Sequence, residues 1–127
     1  MEWYETPDGK KRLELEKERL AEFPQMQLKE FFGKTIVACG QMLVAGGREF
    51  TVFAIYPRNY GIQSSRIKVY LPVEPFSKDT PHRNSDGELS LRHVNDDKYD
   101  DIRQVLGFTM EWIFMYEIFL QTGEWRD

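Results

Sequence analysis

From Ile102 onward, apolar residues fall at 102, 105, 106, 110, 113, 114, 118 and 120, which is helical spacing. Between Val105 and Leu120, 12 of 16 residues are apolar or aromatic, more than one helical face can hold. The run is too short to span a bilayer and carries Glu111 and Glu117, so it does not read as a membrane segment. Such a helix must be covered on more than one side. It either crosses a sheet beneath other elements or keeps an exposed patch for a partner. Asp100 or Asp101 is predicted to cap its start, Gly123 to stop it, and Trp125 to fold back. Trp112, Tyr116 and Trp125 read as core rather than as a ligand platform.

The material to cover that helix lies upstream. Thr35–Val44 and Phe50–Tyr56 are β-rich runs joined by a Gly46-Gly47 hairpin turn, and Arg66–Leu71 alternates as a third strand ended by Pro72. Three strands with short connections make an antiparallel meander. Before it, Leu13, Leu20 and Phe23, with Leu15 and Ala21 beside them, are spaced by charged residues as in an amphipathic helix. Asp8 is its predicted N-cap and Pro24 its stop. Lys10, Lys11 and Arg12 then form either a solvated face or a partner-docking patch, and sit poorly with the dipole of a first turn. Met26, Leu28, Phe31 and Phe32, within 25–33, fit a helical turn and a covered loop equally well. Cys39 reads as a small core residue.

The candidate chemistry lies between strand and helix. After Pro72, Pro75 and Pro81 comes His82-Arg83-Asn84-Ser85-Asp86-Gly87-Glu88-Leu89-Ser90-Leu91. Asp86-Gly87 marks a turn, and the alternation that follows puts Ser90 on the face opposite Leu89 and Leu91. A hydroxyl just past a tight turn is how a chain exposes a nucleophile. A serine triad would need His82 or His93 as base and Asp86 as orienter, and nothing in the spacing favours it. Asp96, Asp97, Asp100 and Asp101 form an acidic connection that is solvated and caps the next helix, or positions an incoming amine. A metal site from these residues and His93 matches no ligand spacing.

At 127 residues the chain is one domain, large enough for a single core. A net charge of −4 and a pI near 5.3 argue against a nucleic-acid binder working by phosphate neutralisation. One cysteine excludes an internal disulfide, and the first residues show no signal peptide, so the cytoplasm is the expected compartment. No cofactor and no metal are expected.

The order helix, strands, loop, helix resembles the ubiquitin-conjugating fold, an α+β architecture. Four motifs carry the resemblance, from about residue 10 to the end. Tyr56-Pro57-x-x-Tyr60 is similar to the Tyr-Pro-x-x-Tyr-Pro of that family, with Gly61 in place of the second proline. His82-x-Asn84 resembles its His-Pro-Asn, with Arg83 for proline. Asp86-Gly87-x-Leu89-Ser90-Leu91 resembles the bacterial subfamily's Asp-Gly-x-Leu-Cys-Leu. Trp112-Ile113-x-x-Tyr116-Glu117, followed by Thr122-Gly123-x-Trp125, resembles that subfamily's ending. The chain stops where eukaryotic members continue into two more helices. Bacterial members occur in ubiquitin-like conjugation operons and in antiphage (CBASS) operons built around a cyclic-oligonucleotide synthase.

The resemblance implies acyl transfer through position 90, from a ubiquitin-like protein or the synthase's C-terminus to a lysine, with an activating-enzyme-like protein as partner. It implies that Asn84 orders the loop or donates to the oxyanion, and that His82, Asp86 and Gly87 support it. Asn84 also reads as a plain turn asparagine, and His82 as a structural hydrogen-bonding residue. Family members carry cysteine where this chain has Ser90. A thiolate is reachable near neutral pH and its ester stays reactive toward amines, whereas a serine ester is a poor acyl donor. Three origins of the serine stay open: a substitution introduced to silence or trap the enzyme, a natural pseudo-enzyme, and a true serine nucleophile. A non-catalytic binding module is the alternative to a transferase.

Overall fold

The computed structural model describes residues 1–43, 47–62, 65–91 and 99–126. A short 3-10 turn, Trp3–Glu5, precedes helix α1, Pro7–Leu20. The N-cap of α1 is Thr6 rather than Asp8, and its hydroxyl accepts the Gly9 N–H at 3.0 Å. Pro7 decides this, because its fixed φ suits the first helical position and it has no N–H to leave unpaired. Asp8 then sits in the first turn, where its charge suits the dipole. Gly9 lies against the preceding turn; a Cβ there would stand 1.6 Å from the Trp3 carbonyl oxygen, so only glycine allows the approach. The helix ends at Leu20, ahead of Pro24.

Four antiparallel strands follow in the order β1 (Met26–Phe31), β2 (Thr35–Leu43), β3 (Glu49–Ile55) and β4 (Lys68–Tyr70). The ambiguous stretch is therefore a strand. Phe32 (φ 57°) and Gly33 (φ 67°) make its hairpin turn, closed by the Lys34 N–H on the Phe31 carbonyl at 3.2 Å. Gly47 (φ 84°) lies in the β2–β3 connection, and Gly46 falls outside the described residues. Strand β4 is shorter than the expected 66–71. The Ile67 N–H leaves the ladder and donates to the Asp100 carboxylate at 2.9 Å. Ile36, Ala38 and Met42 alternate with Phe50, Val52 and Ala54 on the core face. That pattern puts Cys39 on the opposite face, half-buried, so it is not the core residue expected.

Helix α2, Ile102–Thr122, crosses this core. Asp101 caps it by accepting the Arg103 N–H at 2.9 Å, and Gly123 (φ 78°) ends it. The buried face runs through Ile102, Val105, Leu106, Thr109, Trp112, Ile113 and Tyr116. The expected stripe is thus partly misplaced: Met110, Phe114 and Leu120 are 38%, 46% and 53% exposed. Thr109 tolerates burial because its hydroxyl donates to the Val105 carbonyl at 2.8 Å. Trp125 does fold back, its ring 5.2 Å from Trp112.

The two helices meet at a buried carboxylate that the sequence pattern assigned to the solvated side of α1. Glu16 is fully buried. Its Oε1 accepts from the Tyr56 hydroxyl (2.8 Å), the Tyr60 hydroxyl (3.2 Å) and the Ile102 N–H (3.1 Å). Its Oε2 faces Arg12 at 3.1 Å and Arg19 at 3.8 Å. The Tyr-Pro-x-x-Tyr segment therefore supplies hydroxyls to a buried acid, which in turn tethers the first N–H of α2. The Tyr60 hydroxyl also contacts the Asp100 carbonyl. Burial pushes the Glu16 pKa above its ordinary value, against the pull of Arg12.

Candidate active site

The segment from His82 to Leu91 is folded as a tight hairpin, not a helix. The Asn84 carbonyl accepts the Gly87 N–H at 3.0 Å, and the Asn84 N–H donates to the Glu88 carbonyl at 2.8 Å. Gly87 takes φ 96°, which a turn here requires. The Asp86 carboxylate accepts the Glu88 N–H at 3.0 Å, an Asx-type closure, and the Tyr70 hydroxyl at 3.5 Å. The hairpin is stitched to β4 by a Tyr70–Glu88 bridge and by the Leu89 N–H on the Val69 carbonyl at 2.9 Å. This fixes the alternation: Leu89 is buried, Ser90 exposed and Leu91 half-buried.

One carbonyl holds the start and end of the loop together. The His82 oxygen accepts the Ser90 N–H at 2.8 Å and the Trp112 indole N–H at 2.8 Å. His82 itself sits at φ 54°, unusual for a residue with a side chain. The backbone of residue 90 is thus anchored to α2 through a single shared acceptor. Phe76 and Arg83 brace the same corner: Phe76 packs edge-on to Trp112 with centroids 5.8 Å apart, and the Arg83 guanidinium lies 4.9 Å over the Phe76 ring.

Between loop and helix lies an open groove of about 440 Å³. The loop contributes His82, Ser90 and Leu91 to its wall, and α2 contributes Phe108, Glu111, Trp112 and Met115. Trp125 closes one side, its ring 5.1 Å from His82. The site therefore pairs an exposed hydroxyl with an aromatic floor and one carboxylate.

Residues 16–127 match the family described as Type II CBASS E2 protein. The chain belongs to that family. No curated protein and no solved structure matches it. Family membership bears out the resemblance to bacterial ubiquitin-conjugating proteins, and the α+β fold expected from it is the one found. An E2-like role within CBASS, alongside partners of that system, follows from membership. No helix among the described residues is long and apolar enough to cross a membrane.

In this CBASS E2 protein the predicted site residues do not all converge. Ser90 and His82 line the groove; Asn84, Asp86 and Gly87 build the turn behind it. The Asn84 side-chain amide reaches Glu88 at 3.5 Å. Asp96, Asp97 and His93 lie outside the described residues, within which no group of three or more His, Cys, Asp or Glu residues gathers to hold a metal. Lys10 and Lys11 are exposed, but Arg12 turns inward, paired with Glu16 and 5.0 Å over the Tyr99 ring. Trp112 is core, 4% exposed, and the groove floor as well. Sequence reasoning missed Phe108, Glu111 and Met115. The i, i+3 and i+4 spacing of Phe108, Glu111, Trp112 and Met115 gives one face of α2, legible once that helix is known to border the loop.

Replacing Trp112 with phenylalanine keeps a ring in the core and removes only the indole donor. The His82 carbonyl then loses one of its two partners, worth about 1 kcal/mol. Hydrogen exchange is the measurement, with roughly fivefold faster exchange of the Ser90 amide expected. Unchanged protection would show that Trp112 does not hold the loop.

Proposed function

We propose that this protein carries an acyl group on position 90 and passes it to a lysine amine, in the manner of a ubiquitin-conjugating enzyme acting in antiphage defence. The donor is the C-terminus of a ubiquitin-like protein or of a cyclic-oligonucleotide synthase, activated by an enzyme of the E1 kind. The observation that carries this reading is an exposed residue 90 whose backbone is pinned to the His82 carbonyl beside a groove. A thiolate at that position would attack the activated carbonyl carbon, forming a C–S bond as the activating group leaves. Ser90 leaves the binding surface intact but supplies a poor nucleophile and, once acylated, a poor donor. Asp86 already accepts from Glu88 and Tyr70, which argues against a triad that uses it as orienter.

The test is the Ser90→Cys protein mixed with activating enzyme, ATP and donor. A covalent adduct that reductant removes is the expected result, absent when position 90 is alanine. No adduct under conditions where the activating enzyme is itself charged would favour a non-catalytic binding module, a reading to which the serine itself lends weight.

A further inference from the structure

Strand β1 is an outer edge of the sheet, whereas β4 at the opposite edge is met by the Tyr70–Glu88 bridge. The Tyr56 N–H donates to the Ile36 carbonyl at 3.0 Å, so Ile36 turns its backbone groups toward β3. Its neighbours in β2 therefore turn theirs toward Gln27, Lys29 and Phe31 of β1. What remains points outward: the Met26 carbonyl and both backbone groups of Leu28 and Glu30, none bonded among the described residues. The Met26 N–H is taken by the Phe23 carbonyl at 2.9 Å. An open edge of this kind is a template for a further strand.

The two ends of this strand are unlike. Just past its last residue, Phe32 is 91% exposed and sits at φ 57°, where asparagine or glycine is far more at ease than a bulky ring. Neither Phe31 nor Phe32 joins the core. At the first residue of β1 opens a pocket of about 270 Å³, lined by Phe23, Pro24, Met26, Met42, Leu43 and Met110. Leu43 and Met110 are among the apolar residues that the fold leaves exposed. Three thioethers suit an aromatic ring, because methionine adapts its shape and sulfur packs well at ring edges. A solvent-facing ring at one end and a methionine-lined hollow at the other are complementary, yet one chain does not bring them together.

Antiparallel pairing of β1 with β1 of a second copy does. The two-fold axis then stands perpendicular to the sheet, so residues of the same face oppose each other. With Leu28 at the axis, the two Leu28 residues exchange hydrogen bonds, and each Glu30 N–H meets a Met26 carbonyl. Lys29 faces Gln27, and Phe31 and Phe32 reach the level of Gln25 and Pro24 in the other copy. Centring the axis on Lys29 instead sets two ammonium groups against each other. Centring it on Gln27 sets Glu30 opposite Pro24, which has no N–H to give.

We propose that this chain forms a two-fold dimer through β1, with each Phe32 seated in the methionine-lined pocket of the other copy. The two sheets become one. The residue-90 hairpin, stitched to β4 at the opposite edge, stays open in both copies. None of this depends on the transfer proposed above.

Sedimentation velocity of the unmodified protein, from micromolar to millimolar concentration, tests the dimer; a shift from monomer to dimer is expected. Over the same range, exchange of the Leu28 and Glu30 amides is expected to slow about tenfold. Lys29, already in the ladder with β2, serves as reference. Phe32→Asn suits the turn and removes the ring, and Met110→Lys places a charge in the hollow from an exposed position. Each is expected to weaken the dimer about tenfold or more, with the dilute Phe32→Asn protein melting no lower than its parent. A monomer at every concentration would leave edge and pocket to a different chain and would overturn the proposal. So would a dimer that survives both substitutions, or one whose Leu28 and Glu30 amides exchange as fast as in dilute solution.

Discussion

Glu16→Ala is expected to cost about 3–5 kcal/mol of folding stability, the range for removing one member of a buried ion pair. The loss exceeds that of a surface glutamate because several buried groups lose a partner at once. Arg12, its side chain only 13% exposed, loses its nearest carboxylate, the Tyr56 hydroxyl and the Ile102 N–H lose their acceptor, and the Tyr60 hydroxyl is left with the Asp100 carbonyl alone. Urea denaturation measures it, and a loss below about 1 kcal/mol would mean the network is dispensable. Glu16→Gln keeps the volume and an acceptor oxygen, and should cost less.

The same residue sets a pH dependence. Burial, partly offset by Arg12, raises the Glu16 pKa in the folded state above its ordinary value of 4.5. The native state therefore binds this proton more tightly than the unfolded chain. Its contribution is greatest below pH 4.5 and declines as pH rises from there through the higher folded-state value. The stability difference between the wild type and Glu16→Gln should accordingly move against the wild type across that window and level off above it. A difference that instead moved in the wild type's favour with rising pH would reverse the sign assigned to burial.

The second large effect concerns the atom at position 90. An acyl group carried on the sulfur of the Ser90→Cys protein is expected to be discharged by free lysine, while the same group on Ser90 persists. As the C–N bond forms the C–S bond breaks; a thiolate leaves readily, and the amine's proton passes to solvent. A serine alkoxide is a far poorer leaving group. A rate ratio on the order of a hundredfold is expected, equivalent to about 2.7 kcal/mol in the barrier. Mass spectrometry of the intact adduct over time reads this directly. Equal discharge of both esters would show that the protein activates oxygen and that the serine is a working acyl carrier.

How legible these features were in the sequence follows from the range of the interactions involved. Alternation in Phe50–Tyr56 and the turn at Asp86-Gly87 are local, and both elements stand where they were read. So do the cap at Asp101 and the stop at Gly123, set by side-chain oxygen and backbone handedness within one turn. The exposure of Ser90 followed from period-two alternation after the turn. Local signals failed at β1, where four apolar residues read as a helical turn or a covered loop; pairing of Met26–Phe31 with β2 makes the stretch a strand, which is neither.

What the sequence alone determined, then, is the order of elements, the turn that presents residue 90 and, through its motifs, the family. Tertiary structure decided the rest. It turned α2 so that Met110, Phe114 and Leu120 are exposed, buried Glu16 in a charged segment, and put Glu111 in the wall of the groove that Ser90 also lines. The physical reason is range. A helix repeats every 3.6 residues whatever it packs against, so its periodicity shows that it has a buried face. Which charges on that helix become internal, and which border a site, depends on groups that are distant in sequence: Glu16 meets Ile102 from 86 residues away.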